Sequence, residues 1–543
     1  MNPLFKTDSY KLSHKGFMTD GTEVIYSNMT PRSNKYLPVN KEDHDGKVVW
    51  YGLQRVLRKL VTEWNKNFFS RYRDDVIAET KMVFDAYLGK DSVPMDHFIE
   101  LHNLGYLPIE IKALPEGSRV NSKVPFFTIQ NTHPRFAWLT NYLETWLSAE
   151  LWKPTTVATI IYEYRKLANT WALTTTGSIA GTEFQIHDFS YRGMSNTEDA
   201  AACGGAFLLS SCGTDNIPAI VDVKKYYDAD LSSEFIGTSV PASEHSLAST
   251  GIAVNCELET YRKWITQDYP TGIVSIISDT LDFFRVVIDF ATELKDDILN
   301  RQPNELGLAK VVFRPDSGCP VKILTGYFHD GINWDSVEYV HQRYDYLDIN
   351  KLPEVVFIQG KWYHLYQQLD GRVDACQVMS EAEVKGAVQC LWEIFGGTTT
   401  EQGYKQLHER VGLIYGDSIT LERAKQIFER LAHKGFASTN VVLGVGSYTC
   451  QYLTRDSAGM AVKATAAKVN GKWYELSKDP KTDDGTKKSA KGLLRVEKEG
   501  DDFVLYDQQT PEQEKQGELK TVFLNGNIMK VEYFQDIRDR LWK

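Results

Sequence analysis

The stretch VVFRPDSGCP (residues 311–320) sets a short β-branched and aromatic run directly against a polar, glycine-bearing turn. A few apolar residues bounded by Pro and Gly read as a buried strand, and the polar residues then fall at its C-terminal end. The same grammar recurs on both sides. Upstream, residues 184–186 run into HDFSYRG (187–193), an apolar segment at 217–221 lies beside GTD (213–215), and residues 273–277 run into SDT (278–280). Downstream, residues 413–415 run into GDS (416–418) ahead of a helix at 421–432, and residues 441–443 run into GVGS (444–447). Strand, polar turn, helix is the pattern of an α/β fold, either a (β/α) barrel or a doubly wound sheet, and both keep ligand sites at strand C-termini.

Outward from this repeat the spacing breaks once. Some 97 residues separate Gly318 from Gly416, against roughly 30 for one strand–helix unit, so an insertion is expected at about 321–405, with a helix at 381–395. Before the repeat, residues 1–150 read as a mixed α+β part. It has a helix at 48–60, strands at 109–113 and 125–129 about the turn Pro115-Glu116-Gly117, and an apolar helix at 136–151. A helix at 157–170 opens the part that spans 151–464. After about residue 465, NGKWYEL, GLLRVEK, DDFVLYD and TVFLNGNIMKVEYF read as short antiparallel strands, Asn525-Gly526 being a hairpin signal. The Lys/Asp-rich stretch 478–491 reads from composition as a solvated linker.

The 543 residues carry 61 Lys+Arg against 72 Asp+Glu, a net charge of −11, with 42% hydrophobic and 24% charged residues. That is globular composition, and the acidic balance argues against a polynucleotide partner, whose binding needs a surplus of cations. It leaves a small polyphosphate open. No apolar run approaches the ~18 residues of a membrane span, and MNPLFKTDSYKLSHKG has no apolar core of a secretory signal. The seven cysteines are scattered without CxxC spacing, which fits reduced thiols and a cytoplasmic location. There is no GxGxxG, no Walker A and no HExxH, so dinucleotide, P-loop and zincin chemistry find no support.

The polar turns carry the chemistry. In RPDSG, Arg314 offers a planar fork to a phosphate or carbonyl, and Asp316 can accept from ribose hydroxyls or reach a hydrated Mg²⁺. A salt-bridged loop is the alternative. The glycine-rich GDS and GVGS turns leave backbone N–H groups bare for an anion. SVPASEHS (239–246) places His245 beside Glu244 among small residues, where it is a general base, a phosphate acceptor or an ordinary hydrogen-bonded histidine. HDFSYRG gathers an imidazole, a carboxylate, two aromatic rings and a guanidinium, a set suited to a flat ring that also carries phosphate.

Taken in order with TDSYKLSH (7–14), YGLQ (51–54), LPIEIKALPEG (107–117), WLTNYLET (138–145) and LTRD (453–456), these motifs resemble the nicotinamide phosphoribosyltransferases of the type II phosphoribosyltransferase family, over essentially the whole chain except the insertion. The resemblance implies a (β/α) barrel of the type II kind beside a β-rich α+β domain built from both chain ends, with residues 465–543 packing on the N-terminal part. It implies a homodimer with both active sites at the interface. The substrates implied are nicotinamide and phosphoribosyl pyrophosphate, with Mg²⁺ and with ATP as co-substrate, hydrolysed through a phosphohistidine. Carried over residue by residue, Phe189 stacks on one face of the pyridine ring and Tyr10 of a second subunit on the other. Asp215 accepts from the carboxamide N–H, and Arg314 donates to its oxygen. Gly416, Gly446, Ser447 and Arg192 hold the 5′-phosphate, Arg455 and Lys463 from the second subunit adding charge. Asp316 and Asp417 lie at the ribose. Arg32, Lys478 and Lys487 face the pyrophosphate, and Asp8 and Ser239 join the substrate-binding set. His245 is the phosphorylated histidine, oriented by Asp279. The family often has Gly where Ser447 stands and Ser where Ala461 stands, which moves one phosphate contact. A carboxylate at 215 favours an amide over nicotinate. A nicotinate-specific enzyme and a catalytically silent dimeric binding protein are the competing readings.

Overall fold

The computed structural model describes residues 1–416, 418–478 and 489–543. At its centre six short strands form one all-parallel sheet: β1 (Ile186–Asp188), β2 (Gly213–Thr214), β3 (Val274–Ile277), β4 (Val311–Arg314), β5 (Val411–Tyr415) and β6 (Val441–Val445). They lie side by side in the order β2-β1-β6-β5-β4-β3. Parallel strands are covered on both faces and so read as continuous apolar runs; every residue of β3 and β5 is buried. The edges of the sheet do not stay open. Thr238 bridges to Gly213 and Ala242 to Ser275. The Thr214 N–H donates to the Thr238 carbonyl and the Ser275 N–H to that of Pro241, each at 2.9 Å. Backbone contacts therefore run round a complete circuit through residues 238–242, satisfying donors that an edge would expose.

Several elements differ from the sequence reading. The apolar segment at 217–221 is not a strand but the start of the helix Ile217–Tyr227. Its β-branched residues suggest a strand, but Pro218 in the first turn and burial of Ala219, Asp222, Val223 and Tyr227 give one helical face. The helices at 136–151 and 157–170 are one 40-residue helix, Ala137–Thr176, ending on Gly177 at φ +74° and roughly 60 Å long. It runs across residue 150, so the N-terminal part and the parallel sheet share a continuous strut. The helix at 48–60 is instead a strand, Lys47–Val49, followed by the helix Leu53–Trp64. The helix at 381–395 breaks at Gly386 (φ +81°), where a Cβ would lie 2.2 Å from the Gly326 nitrogen.

A seven-stranded sheet draws on both chain ends: Lys472–Glu475, Ala461–Val469, Thr22–Thr30, Phe127–Asn131, Ile109–Ala113, Lys520–Leu524 and Asn527–Ile528 in spatial order. Its last hairpin turns on Asn525 (φ +50°) and Gly526 (φ +83°), the two positive φ values of a type I′ turn. The insertion contributes a separate four-stranded sheet, His329–Trp334, Val355–Ile358, Lys361–Gln367 and Val373–Met379, with a small core of Val340, Tyr344, Val356, Ile358, Leu365 and Val373. The helix Ala387–Phe395 rejoins the main core through Val388 and Leu391. Glu354 fastens the insertion to the helix Leu421–His433, accepting from Arg430 at 2.9 and 2.7 Å and from Lys322. Burial alone would raise its carboxyl, but the two cations bring it down to about 2, so the fastening stays charged.

Candidate active site at the strand C-termini

The ends of β1 to β5 and the segment after residue 238 bring most of the expected residues into one cluster. After β1 the Phe189 N–H donates to the Val445 carbonyl at 3.0 Å, which folds the ring over β6. There a Cβ on Gly444 would lie 2.7 Å from the ring and 2.5 Å from the Tyr415 carbonyl, so only glycine lets the ring lie against the strand. The His187 ring sits 4.5 Å from that of Phe189 at 37°. After β2, Asp215 Oδ1 accepts from His187 Nε2 at 2.8 Å and from the Ser239 hydroxyl. Burial would raise the Asp215 carboxyl; the hydrogen bonds from His187 and Ser239, with the charge of Arg314, outweigh it and hold the group below the usual range. Asp215 is therefore an acceptor only.

Arg314, at the end of β4, donates to the Ser243 carbonyl and interacts electrostatically with Asp316, Asp215, Asp279 and Arg192. Burial lowers the pKa of its guanidinium while the three carboxylates pull the other way; an arginine so placed stays charged. The side chain of Asp279, after β3, is only 6% exposed. Its Oδ2 accepts from the N–H groups of Asp316 (2.8 Å) and Ser317 (2.7 Å), shaping the RPDSG turn. Its Oδ1 is buried without a hydrogen-bond partner among the described residues and lies 3.7 Å from His245 Nε2. His245 is the first residue of the helix His245–Val254, half exposed, and its Nδ1 is 3.0 Å from the Thr280 hydroxyl. Asp279→Ala should lower kcat/KM by about 10- to 100-fold, the scale of two hydrogen bonds to a charged acceptor. Asp279→Asn, which keeps an acceptor for both N–H groups, should lose far less. Steady-state kinetics of the two variants checks this.

The glycine turns meet the same cluster. The Gly416 N–H donates to the Pro315 carbonyl at 3.0 Å, and a Cβ on Gly416 would come 3.1 Å from Asp316 Oδ1. A Cβ on Gly193 would meet the Ser447 hydroxyl at 2.0 Å, so the loop carrying Arg192 closes directly on the turn after Gly446. Gln451 donates to the Gly193 carbonyl at 3.1 Å and accepts from Lys153 at 2.7 Å, which ties that loop to the long helix.

The remaining expected residues lie elsewhere, around the seven-stranded sheet. Asp8 accepts from Thr145 at 2.7 Å, and Lys463 pairs with Glu144 at 3.4 Å. Arg32 Nε donates to the Gly459 carbonyl at 2.8 Å. Arg455 is exposed beside Asp456, and the Lys478 N–H donates to the Ser489 hydroxyl at 3.0 Å. Arg32, Lys463 and Ser489 line a cavity of about 320 Å³ together with Asn28, Thr30 and Lys123. The Tyr10 ring is 58% exposed and meets His14 and Lys11; among the described residues it makes no ring contact with Phe189. Asp417 and Lys487 lie outside the described residues. Sequence reasoning gave no role to His187, Ser243, Thr280 or Lys123. HDFSYRG contained His187, but its bond to a residue 28 positions away has no sequence signal.

The arrangement is that of an α/β enzyme whose site combines a ring-stacking slot with carboxylates, a guanidinium and glycine turns at strand ends. The chain belongs to the nicotinate phosphoribosyltransferase (NAPRTase) family, whose model matches residues 184–527. Within that family its similarity is to proteins named nicotinamide phosphoribosyltransferase. The one from Acinetobacter baylyi is 49% identical over 542 residues, covering 100% of this chain and 97% of the relative. The one from Xanthomonas campestris is 28% identical over 548 residues, covering 99% and 97%. In fold the chain is similar to nicotinate-nucleotide pyrophosphorylase from Pyrococcus furiosus, with a TM-score of 0.53 at 13% identity over 99% of this chain and 94% of that one.

Proposed function

We propose that the chain is a nicotinamide phosphoribosyltransferase of NAD salvage, forming nicotinamide mononucleotide and pyrophosphate from nicotinamide and phosphoribosyl pyrophosphate. The observation that carries this reading is the ionised Asp215 carboxylate bonded to His187, whose ring packs against Phe189, with the Arg314 guanidinium acting on it electrostatically. One accepts from a carboxamide N–H and the other donates to a carboxamide oxygen, while a carboxylate on the ring would face Asp215 charge to charge. The parallel circuit is then the type II barrel, and the seven-stranded sheet of both chain ends its companion domain.

In the reaction the neutral pyridine nitrogen attacks C1 of the ribose as pyrophosphate leaves, through an oxocarbenium-like transition state. No general base is needed. The chain positions the ring and holds the ribose through Asp316 and its 5′-phosphate on Arg192 and the turns at Gly416, Gly446 and Ser447, while Arg32 and Lys478, which lie by Lys463 and so belong with it to a second copy, together with Lys487 stabilise the charge of the leaving group. The exposed Tyr10 suits a second copy of the chain, in a homodimer where Tyr10, Asp8, Arg455 and Lys463 of one copy complete the site of the other. The unpartnered, buried Asp279 Oδ1 and the nearby Asp316 carboxylate suit a hydrated Mg²⁺. Bound there, the ion would neutralise charge on the pyrophosphate. ATP acts as co-substrate: His245 takes its terminal phosphoryl group as ADP leaves, and water then releases phosphate from the phosphohistidine. No described helix is long and apolar enough to cross a membrane, and the reaction suits the cytoplasm. Equal nicotinamide and nicotinate offered together with phosphoribosyl pyrophosphate test the reading. It requires nicotinamide mononucleotide as the main product; nicotinate mononucleotide as the main product would mark a nicotinate enzyme, and neither product a silent binding protein.

A further inference from the structure

We propose that His187 is a specificity-setting positioning residue: it fixes the Asp215 carboxylate so that one oxygen is occupied by protein donors and the other is presented to the amide of the bound base. This rests on the reading of the site as a nicotinamide site. Asp215 Oδ1 receives two donors, His187 Nε2 at 2.8 Å and the Ser239 hydroxyl. Among the described residues Oδ2 has no hydrogen-bond partner, and the side chain is 42% exposed, which leaves the second oxygen for a ligand. The carboxylate is ionised and can only accept, which assigns the shared hydrogen to His187 Nε2. His187 thus donates through Nε2, and its Nδ1 is turned towards Gly213. A Cβ at position 213 would come 2.7 Å from that Nδ1, so Gly213 makes room for the ring in this orientation.

Two consequences follow from a donor at this place. With Oδ1 occupied by protein donors, the ionised carboxylate presents its other oxygen to the base, and that negative oxygen is what disfavours a carboxylate there. The bond also holds Asp215 against the attraction of Arg314, which acts on it electrostatically; released from His187, the carboxylate would turn towards the guanidinium and both polar ends of the amide site would be lost to each other. The same imidazole packs 4.5 Å from the Phe189 ring, so one side chain supports both the stacking surface and the amide acceptor.

The test compares His187→Phe, which keeps a flat ring and removes the donor, with His187→Gln, whose amide nitrogen can reach the position of Nε2. KM and kcat are measured for nicotinamide and for nicotinate at saturating phosphoribosyl pyrophosphate. H187F should raise KM for nicotinamide about tenfold, the scale of one hydrogen bond to a charged group, with a smaller change in kcat, and should narrow the preference over nicotinate. H187Q should recover most of both. An unchanged KM and preference in H187F overturns the proposal, as does an equal loss in H187F and H187Q, which would mark a purely structural role. Should H187F fail to fold, Ser239→Ala removes the other donor to the same oxygen from an exposed segment. A preference narrowed a few-fold in S239A supports the proposal, and an unmoved preference overturns it. A wild-type chain that turns over nicotinate and not nicotinamide overturns the functional reading itself, and this inference with it.

Discussion

Asp215→Asn is expected to cut the preference for nicotinamide over nicotinate by about 100-fold, on the scale of a charge-assisted hydrogen bond lost on one side and a like-charge contact relieved on the other. Both halves of that change come from one atom. Asp215 is held ionised against its burial by His187, Ser239 and the charge of Arg314. In the variant the amide at 215 still accepts from the carboxamide N–H, but as a neutral partner, so binding of nicotinamide weakens moderately. Nicotinate, whose carboxylate now meets no negative charge and can pair with Arg314, improves. The measurement is kcat/KM for each base. A ratio unchanged by the substitution would remove Asp215 from the specificity role and leave Arg314 as the determinant.

His245→Ala is expected to abolish the stimulation of synthesis by ATP while leaving some basal synthesis. His245 is half exposed, held by Thr280 through Nδ1, and 3.7 Å from the buried Asp279 Oδ1. It makes no hydrogen bond to Asp215, Arg314 or the Asp316 turn, and the bonds from Asp279 Oδ2 to that turn do not pass through it. Removing the imidazole therefore deletes the phosphoryl acceptor without dismantling the place where the base meets the ribose. Rates with and without ATP, together with acid-labile incorporation of labelled phosphate, decide the matter. Full ATP stimulation in the variant would take the phosphohistidine role away from His245.

What could be read from the sequence follows from burial. Strands β3 to β6 are covered on both faces, so their composition shows as apolar runs ending in polar turns, and the motifs at those ends pointed to Arg314 and Gly416, whereas Asp279 came only with the family resemblance. β2 is two residues long and leaves no run, and its neighbour at 217–221 carries β-branched residues that pack on one helical face instead. The segment 238–242, Thr-Ser-Val-Pro-Ala, closes the circuit through single bridges at Thr238 and Ala242; with Pro241 inside it and no apolar run it gives no strand signal, and closure is invisible without those bridges. The site was legible as a set of residue types, not as a set of bonds. His187 with Asp215, Asp279 with the N–H groups of residues 316 and 317, and Gly193 with Ser447 all depend on which loops the parallel order β2-β1-β6-β5-β4-β3 makes adjacent. The Lys/Asp stretch reads from composition as a linker. Its first lysine, Lys478, is fastened through its backbone to Ser489, which lines the cavity of Arg32 and Lys463.

The central claim is tested most directly by following pyrophosphate and nicotinamide mononucleotide together when the purified chain is given nicotinamide and phosphoribosyl pyrophosphate with Mg²⁺, with and without ATP. The account predicts that both products form in equal amounts, and that ATP increases their yield. No pyrophosphate released with nicotinamide in either condition, or release only when nicotinate replaces it, would contradict the account.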